Sequence, residues 1–423
     1  MAIVDDHDLS FDGDALGLRR AVDLLLASPT NGAYNDQASF HQVNLPMEGC
    51  GEANALEALA PFVLGQAARL GRKDALAHMD PPTPWITWAT ALWNASLNQN
   101  LLHPDTAPFA RKAEELVLTW LAPAFGMAGG HMTAGSTLAN LTALWAARDI
   151  CGVSSVVAGD TAHVSVAKSA KILGMTLTTL PTDAVGRLRC DCLPDNFDRT
   201  ILVLTAGTTA TGVVDPLSLA GRAVWTHIDA AWAGPLRLSD RHSNILAGIE
   251  QADSISISAH KWLFQPKDSA LVLFRDPARA HAAVGTSSSY LAVPNIGVMG
   301  SRGAACIPLL ATLLAWGKHG VAARIDKCMA IADRLASHIA DDDRLLLLAR
   351  PETGVVIWRP REASPEVLQS LMPLGAASLA TVAGERWIRN VSANPNADAD
   401  AIYAAIDAAL AVHAERAVPT NEF

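Results

Sequence analysis

Two strand-like runs end in residues that an apolar strand end would not ordinarily carry. AVWTHI is followed by Asp229, Ala230, Ala231 and Trp232, and SISIS by Ala259, His260, Lys261 and Trp262. A carboxylate at the end of an apolar strand costs desolvation unless it finds a partner. Taken singly, Asp229 reads equally well as a helix cap or a structural ion pair, and Lys261 as a surface turn lysine. The two lie 32 positions apart, enough for a strand end, a short helix and a return strand, so their strands can be close in one sheet. A third feature is GGHMTAGSTLANLTALWAAR, where Gly, Ser and Thr form a tight turn that opens a helix near Thr137. Free backbone N–H groups and the helix dipole suit such a terminus to an anion, although an ordinary capped helix start looks the same.

Together the three features describe one ligand. Its phosphate sits on a helix N-terminus, its protonated ring nitrogen pairs with a carboxylate, and its aldehyde condenses with a lysine. That ligand is pyridoxal 5'-phosphate, held through Lys261 with Asp229 as the acidic partner of the ring.

The elements that must position these residues alternate along the chain. SSVVAG, MTLTTL, TILVLTA, AVWTHID, SISIS and SALVLF are strand candidates, with TLANLTALWAARDI and VSVAKSAKIL as helices between them. Continuous apolar strands alternating with helices predict an α/β fold with a mostly parallel sheet covered on both faces, and such sheets bind ligands beyond the carboxyl ends of their strands. Residues 1–75 read as an N-terminal helical segment built on ALGLRRAVDLLLAS and ALEALAPFVLGQAARLG. Two short amphipathic helices cannot make a core alone, so they must pack on the main body or on a partner chain. Residues 76–305 form the large domain, opening on MDPPTPWITW, which reads as an irregular loop, and on the helix PFARKAEELVLTWLAPAFG. Residues 306–423 hold a long helical tract, two strand candidates, GVVIWRP and ERWIRNVS, and a last helix, ADADAIYAAIDAALAVHAER: a small α+β domain.

Half of the 423 residues are hydrophobic and 17% are charged, so the chain can bury a large core. Net charge is −10 and no basic block appears, which argues against nucleic acid as a partner. The six cysteines are scattered, and Cys190 and Cys192 lack metal-ligand spacing and a second pair, so neither a disulfide framework nor a metal site is expected. No signal-peptide pattern and no uninterrupted apolar run of bilayer-spanning length is present. The reading is a cytoplasmic protein without a membrane partner.

At this point the sequence resembles the group II pyridoxal-phosphate-dependent amino-acid decarboxylases, which include the aromatic-amino-acid and glutamate enzymes. The resemblance is carried by MDPPTP, FARKAEELVLTWLAPAFG, GSTLANLTALWAARD, DTAHVSVAKSAKILG, LTAGTTATGVVDP, HIDAAWAG and ADSISISAHKWLF, and extends to IRNVSANPNADADAI. It implies a large domain of the aspartate-aminotransferase class (fold type I), a homodimer, and decarboxylation of an L-amino acid to its amine. By the resemblance, Lys261 is the Schiff-base lysine, Asp229 the pyridinium partner, and Ala231 the small residue beneath the ring. His163 is the imidazole stacked on the other face, where a plain helix N-terminal histidine would be the reading without the family. Ser136 and Thr137 match the phosphate turn, Ser254 and His260 further phosphate-side positions, and Thr208 a threonine near the cofactor.

The sequence departs from the family in two places. Ser258 stands where asparagine is common, and the shorter side chain can lose a phosphate-side contact. After Phe274, the stretch RDPARAHAAVGTSSSYLAVPNIGVMGSRGAAC is shorter than the long loop that carries a tyrosine over the substrate in better-known members. Tyr290 aligns before that loop, so it is a candidate proton donor only by proximity, with Lys261 or His163 as alternatives. The short loop keeps other reactions on the same cofactor open: decarboxylation-coupled oxidative deamination, transamination or carbon–carbon lysis. Beyond these stands a non-enzymatic binding protein on a retained fold. Arg389 is a candidate for a substrate carboxylate, with a structural ion pair as the plainer expectation, and Trp85 and Trp88 are weak candidates for pocket walls.

Overall fold

The computed structural model describes residues 13–28, 44–193 and 197–417. The chain divides into two units, residues 1–72 and 73–423. The first holds α1 (Ala15–Ala27) and α2 (Glu52–Val63). Asp14 caps α1 by accepting the Leu16 N–H at 2.8 Å, and Arg20 pairs with Glu57 between the two helices. No residue of either helix is buried.

The second unit opens with α3 (Trp85–Leu97) and α4 (Pro108–Leu121). The expected irregular loop MDPPTPWITW is therefore corrected: it ends at Pro84, the N-cap of α3, and Trp85 begins a helix. Proline is tolerated at a helix start because its missing N–H has no partner there anyway. Next come β1 (Gly129–Thr133), α5 (Ser136–Cys151), β2 (Ser155–Gly159), α6 (Val164–Ile172), β3 (Thr176–Leu180), β4 (Ile201–Thr205), β5 (Trp225–Asp229), β6 (Ser254–Ser258) and β7 (Ala270–Phe274). They build a seven-stranded sheet in the order β1-β7-β6-β5-β4-β2-β3. β7 runs antiparallel to both its neighbours, and the other strands share one direction. All six strand candidates are present. β1 was not among them, because GGHMT has little strand propensity; pairing with β7 over five residues holds it in the sheet.

Every residue of β4, β5, β6 and β7 is buried, as expected of strands covered on both faces. Thr205 lies beside Asp229, and Asp229 beside Ser256. The carboxyl ends of β4, β5 and β6 therefore come level at one edge of the sheet, where the loops after β1 and β2 also emerge.

Beyond the sheet follow α7 (Pro277–Val284), the short hairpin β8 (Gly285–Thr286) and β9 (Asn295–Ile296), and α8 (Cys306–Ala340). α8 is long and apolar enough to cross a bilayer by length and composition. It is broken at Gly317 (φ 60°), and its two ends serve different cores: residues from Leu309 through Met329 pack in the large domain, Leu335 and Ile339 in the small one. The small domain adds β10 (Leu345–Leu347), β11 (Val355–Pro360), α9 (Pro365–Leu371), β12 (Ser378–Val382), β13 (Glu385–Val391) and α10 (Ala399–Ala417). Its four strands form an antiparallel sheet in the order β10-β11-β13-β12.

Candidate active site

A cavity of about 250 Å³ opens at the carboxyl edge of the large sheet. Ser136, Thr137, His163, Asp229, Ala231, His260 and Lys261 all line it, together with Thr205, Gly207, Thr209 and Trp232. Seven residues singled out in the sequence are thus brought together from the ends of four strands, β1, β2, β5 and β6.

The floor begins at the N-terminus of α5. Gly135 holds φ +99° and ψ 156°, a conformation open only to glycine, and no side chain caps the helix there. A Cβ added at Gly135 would meet nothing within 4 Å. Uncapped N–H groups beside open space are what an anion requires. Asp229, the last residue of β5, is buried and its two oxygens accept three hydrogen bonds. Asn140 Nδ2 donates to Oδ2 at 2.8 Å, while the Ala231 N–H and the Ser256 hydroxyl donate to Oδ1 at 3.1 and 3.3 Å.

Lys261 follows β6 in a tight turn. Its carbonyl accepts the Phe264 N–H at 2.9 Å, and the Gln265 N–H closes on Ala259 at 3.1 Å. Phe264 sits at φ +59°, left-handed for a bulky buried residue, which costs about 1–3 kcal/mol and is tolerated mainly where function needs the turn. Burial pushes the Lys261 amine below the ordinary lysine range, with Asp229 opposing the shift. The amine therefore sheds its proton more readily than an exposed lysine, as a nucleophile towards an aldehyde must. Burial also lowers His163, again opposed by Asp229. His260 is pushed down to about 4 by burial and by Lys267 and Lys261; its Nδ1 lies 3.1 Å from the Ser269 carbonyl.

The other sequence candidates stand apart from the cavity. Thr208 is buried and its hydroxyl pairs with Thr211 at 2.9 Å, while its neighbours Gly207 and Thr209 face the site. Ser254 begins β6, at the far end of the strand from Lys261, and its hydroxyl bonds Trp225 and His227. Ser258 is fully buried, does not line the cavity, and has a hydroxyl without a partner among the described residues. Tyr290 lies in the β8–β9 loop, 71% exposed. Trp85 and Trp88 are exposed on α3. Arg389, on β13, corrects the ion-pair expectation. Its partners are neutral: the Thr209 carbonyl at 2.7 Å, the Ser378 hydroxyl at 3.1 Å and the Ala77 carbonyl at 3.5 Å.

Sequence reasoning missed Asn140, Ser165, His227 and Ser256. Two of them carried a signal. His227 and Asp229 alternate onto one face of β5, and Asn140 follows Ser136 by four positions on α5, one turn further in.

An anion cradle, a buried carboxylate, a small alanine, an imidazole and a lysine of lowered pKa at the carboxyl edge of a fold type I sheet define a pyridoxal-phosphate enzyme. The residues fit the cofactor: Lys261 for its aldehyde carbon, Asp229 for its ring nitrogen, and Gly135, Ser136 and Thr137 for its phosphate. The chain belongs to the pyridoxal-dependent decarboxylase family, whose conserved domain matches residues 71–361, and it is a carboxy-lyase. It is 32% identical over 410 residues to an L-2,4-diaminobutyrate decarboxylase of Rhizobium meliloti, covering 86% of this chain and 82% of that one. In fold it superimposes on the glutamate decarboxylase domain of a diaminobutyrate-pyruvate transaminase and L-2,4-diaminobutyrate decarboxylase from Vibrio parahaemolyticus, with a TM-score of 0.82, 22% identity and 95% and 94% of the two chains covered. A Rhodiola rosea 4-hydroxyphenylacetaldehyde synthase superimposes with a TM-score of 0.80 at 19% identity, over 94% and 96% of the chains.

Proposed function

We propose that the protein removes the α-carboxylate of an L-amino acid as CO₂ and releases the amine, with Lys261 as the covalent anchor of the cofactor. The observation that carries this reading is the convergence of Lys261, Asp229 and His163 on one cavity beside the open N-terminus of α5. The cofactor, when bound, supplies an electron sink for the bond that breaks. The chain's residues do the rest. Asp229 presents a buried negative charge to the ring nitrogen. Each unit by which it raises that nitrogen's pKa is worth about 1.4 kcal/mol. Ala231, small enough to leave room, and His163, both lining the cavity, would hold the ring of the bound cofactor between them. Arg389, whose partners are all neutral, carries a positive charge next to Thr209 that suits a substrate carboxylate.

L-2,4-diaminobutyrate is the first substrate to test, since the R. meliloti relative is named for it. A second reading, aldehyde formation by decarboxylation-coupled oxidation, is favoured by the exposed placement of Tyr290, which leaves no tyrosine at the cavity among the described residues. We further propose that the enzyme is cytoplasmic and works as a homodimer. Supporting a dimer, α1 and α2 bury no residue, and Trp85, Trp88 and Trp93 are exposed on α3; light scattering on the purified protein tests it.

The deciding experiment incubates the cofactor-loaded enzyme with a panel of L-amino acids and measures CO₂, amine and aldehyde. Stoichiometric CO₂ and amine from one amino acid supports the proposal. CO₂ matched by aldehyde establishes the second reading, and no CO₂ from any of them overturns both.

A further inference from the structure

Behind the cavity, five buried polar side chains run in single file through the core. Trp225 Nε1 lies 2.9 Å from Ser254 Oγ, and Ser254 Oγ 2.9 Å from His227 Nδ1. His227 Nε2 lies 3.0 Å from Asn140 Oδ1, and Asn140 Nδ2 2.8 Å from Asp229 Oδ2. All five residues are at most 7% exposed. The two ends fix the protons. An indole N–H can only donate, and a carboxylate can only accept. Trp225 therefore donates to Ser254, Ser254 to His227 Nδ1, His227 Nε2–H to Asn140, and Asn140 to Asp229. The opposite orientation of the Asn140 amide would set its carbonyl against the carboxylate, so the chemistry excludes it.

Asn140 has a second amide hydrogen, and it goes to Ser165 Oγ at 2.8 Å. Ser165 in turn meets His163 Nδ1 twice: its backbone N–H donates at 3.2 Å and its hydroxyl lies at 2.8 Å. With Asn140 donating to that hydroxyl, the hydroxyl's own proton is free for His163. Nδ1 of His163 is thus a lone pair, and the ring proton belongs on Nε2.

We propose that Asn140 is a positioning residue that orders both partners of the cofactor ring at once: it holds the Asp229 carboxylate for the ring nitrogen, and through Ser165 it fixes His163 as the Nε2–H tautomer. A neutral amide at this branch point suits the task. It gives two donors to two acceptors and one acceptor to a donor, leaving no buried polar atom of its own unpaired. The inference rests on Asp229 being the partner of the ring nitrogen, so its test must separate the two claims.

The test loads wild-type protein, labelled with ¹⁵N-histidine, with pyridoxal phosphate carrying ¹⁵N in the ring, and compares it with Asn140→Ala by NMR. Wild type should show a protonated ring nitrogen and His163 protonated at Nε2. Asn140→Ala should move the ring-nitrogen signal towards the unprotonated form, mix the His163 tautomers and weaken cofactor binding about tenfold, the effect of losing about 1.4 kcal/mol. If Asn140→Ala does not fold, Asn140→Ser decides, with smaller shifts of the ring and His163 signals in the same directions. Ring and His163 signals unchanged from wild type in the deciding variant, even with a lowered melting temperature, would mean that Asn140 only packs, and the proposal falls. An unprotonated ring nitrogen in wild type would instead remove Asp229 from its role, and this inference with it.

Discussion

Trp232 and Trp262 lie ring against ring in the core, their centroids 4.1 Å apart and their planes 33° from parallel. Each directly follows a cavity residue, Ala231 and Lys261. Each donates its indole N–H across to the small domain, Trp232 to the Thr353 carbonyl at 2.7 Å and Trp262 to the Ser392 carbonyl at 3.1 Å. Gly354 follows Thr353 and accepts the Ser392 N–H at 2.8 Å, and a Cβ on it would come within 2.8 Å of the Trp262 ring. The two loops that carry Asp229 and Lys261 are therefore tied to each other and to the small domain.

Replacing Trp262 by Phe keeps a ring in the stack but leaves the Ser392 carbonyl buried without its donor. The expected loss of stability is about 1–3 kcal/mol. The rings touch, so Trp232→Phe and Trp262→Phe should not add. A double-mutant cycle by denaturant unfolding should give a coupling of about 0.5 kcal/mol or more. Additive losses would show that the stack carries no coupling.

Asp229→Asn preserves the shape of the carboxylate but sets an amide where Asn140, Ala231 and Ser256 all donate. Cofactor should still bind, because the phosphate cradle and Lys261 are untouched. CO₂ release should fall on the order of a hundredfold or more, the usual scale for losing one preorganised electrostatic partner. Turnover within a few-fold of wild type would remove Asp229 as the ring-nitrogen partner.

Gly135→Ala tests the anion cradle. The glycine-only backbone at φ +99° costs a non-glycine residue about 1–3 kcal/mol, and the added methyl occupies the space in front of the α5 N-terminus. Relaxation of the loop to relieve the strain would turn the N–H groups of Ser136 and Thr137 away. The dissociation constant for pyridoxal phosphate, read from the visible absorbance on titration, should rise about tenfold or more. An unchanged constant would place the phosphate elsewhere.

Much of this site was legible in the sequence because its residues end strands. Asp229 and Lys261 stood out as charges on apolar runs, and one sheet edge sufficed to bring them together. The supporting residues left only a faint signal, the face each shares with a site residue, for the converse reason. Asn140 and His227 are polar groups inside elements, and their partners, Ser165 and Ser254, come from other elements at separations of 25 and 27 positions. Nothing local distinguishes a buried amide with three partners from one on a solvated face. β1 escaped notice likewise, since its strand character lies in the neighbouring β7. The β8–β9 hairpin is only two residues deep on each side, too short for alternation to show.

Stability should fall in mild acid. Burial pushes His131 down to about 3 and His227 and His260 down to about 4. Their folded values lie below the ordinary 6.5, so between about 4 and 6.5 the unfolded chain binds more protons. Stability is then lost as pH falls through that window, by up to about 1.4 kcal/mol per pH unit for each fully buried histidine. Asp215, raised to about 6 by burial, works the other way: it favours the fold at low pH and loses that contribution as pH rises to 6. Burial also raises Asp253 and Asp333 and lowers His163 and His281; five histidines against three carboxyls leave a net loss on acidification. Urea midpoints between pH 4 and 7 should climb with pH, and His131→Asn should flatten the climb. A midpoint that falls with pH would contradict the histidine assignment.

In lidded enzymes a closing loop excludes water and oxygen from the reacting centre. Here the chain after β7 forms α7 and a short hairpin, whose loop carries Tyr290 with 71% of its surface exposed. The tyrosine does not line the cavity of its own subunit. If no partner subunit closes the site, the reacting centre is open to oxygen, and aldehyde and ammonia should accompany the amine. The ratio of amine to aldehyde should then rise when oxygen is removed. Clean amine in air would instead require a hidden proton donor, and Tyr290→Phe identifies it. A loss of rate on the order of a hundredfold, within the usual range for a general acid, would bring the hairpin tyrosine over the cavity of a neighbouring subunit. No loss would leave His163, whose Nδ1 is engaged by Ser165 and whose Nε2 is free to carry the proton, or the Lys261 amine.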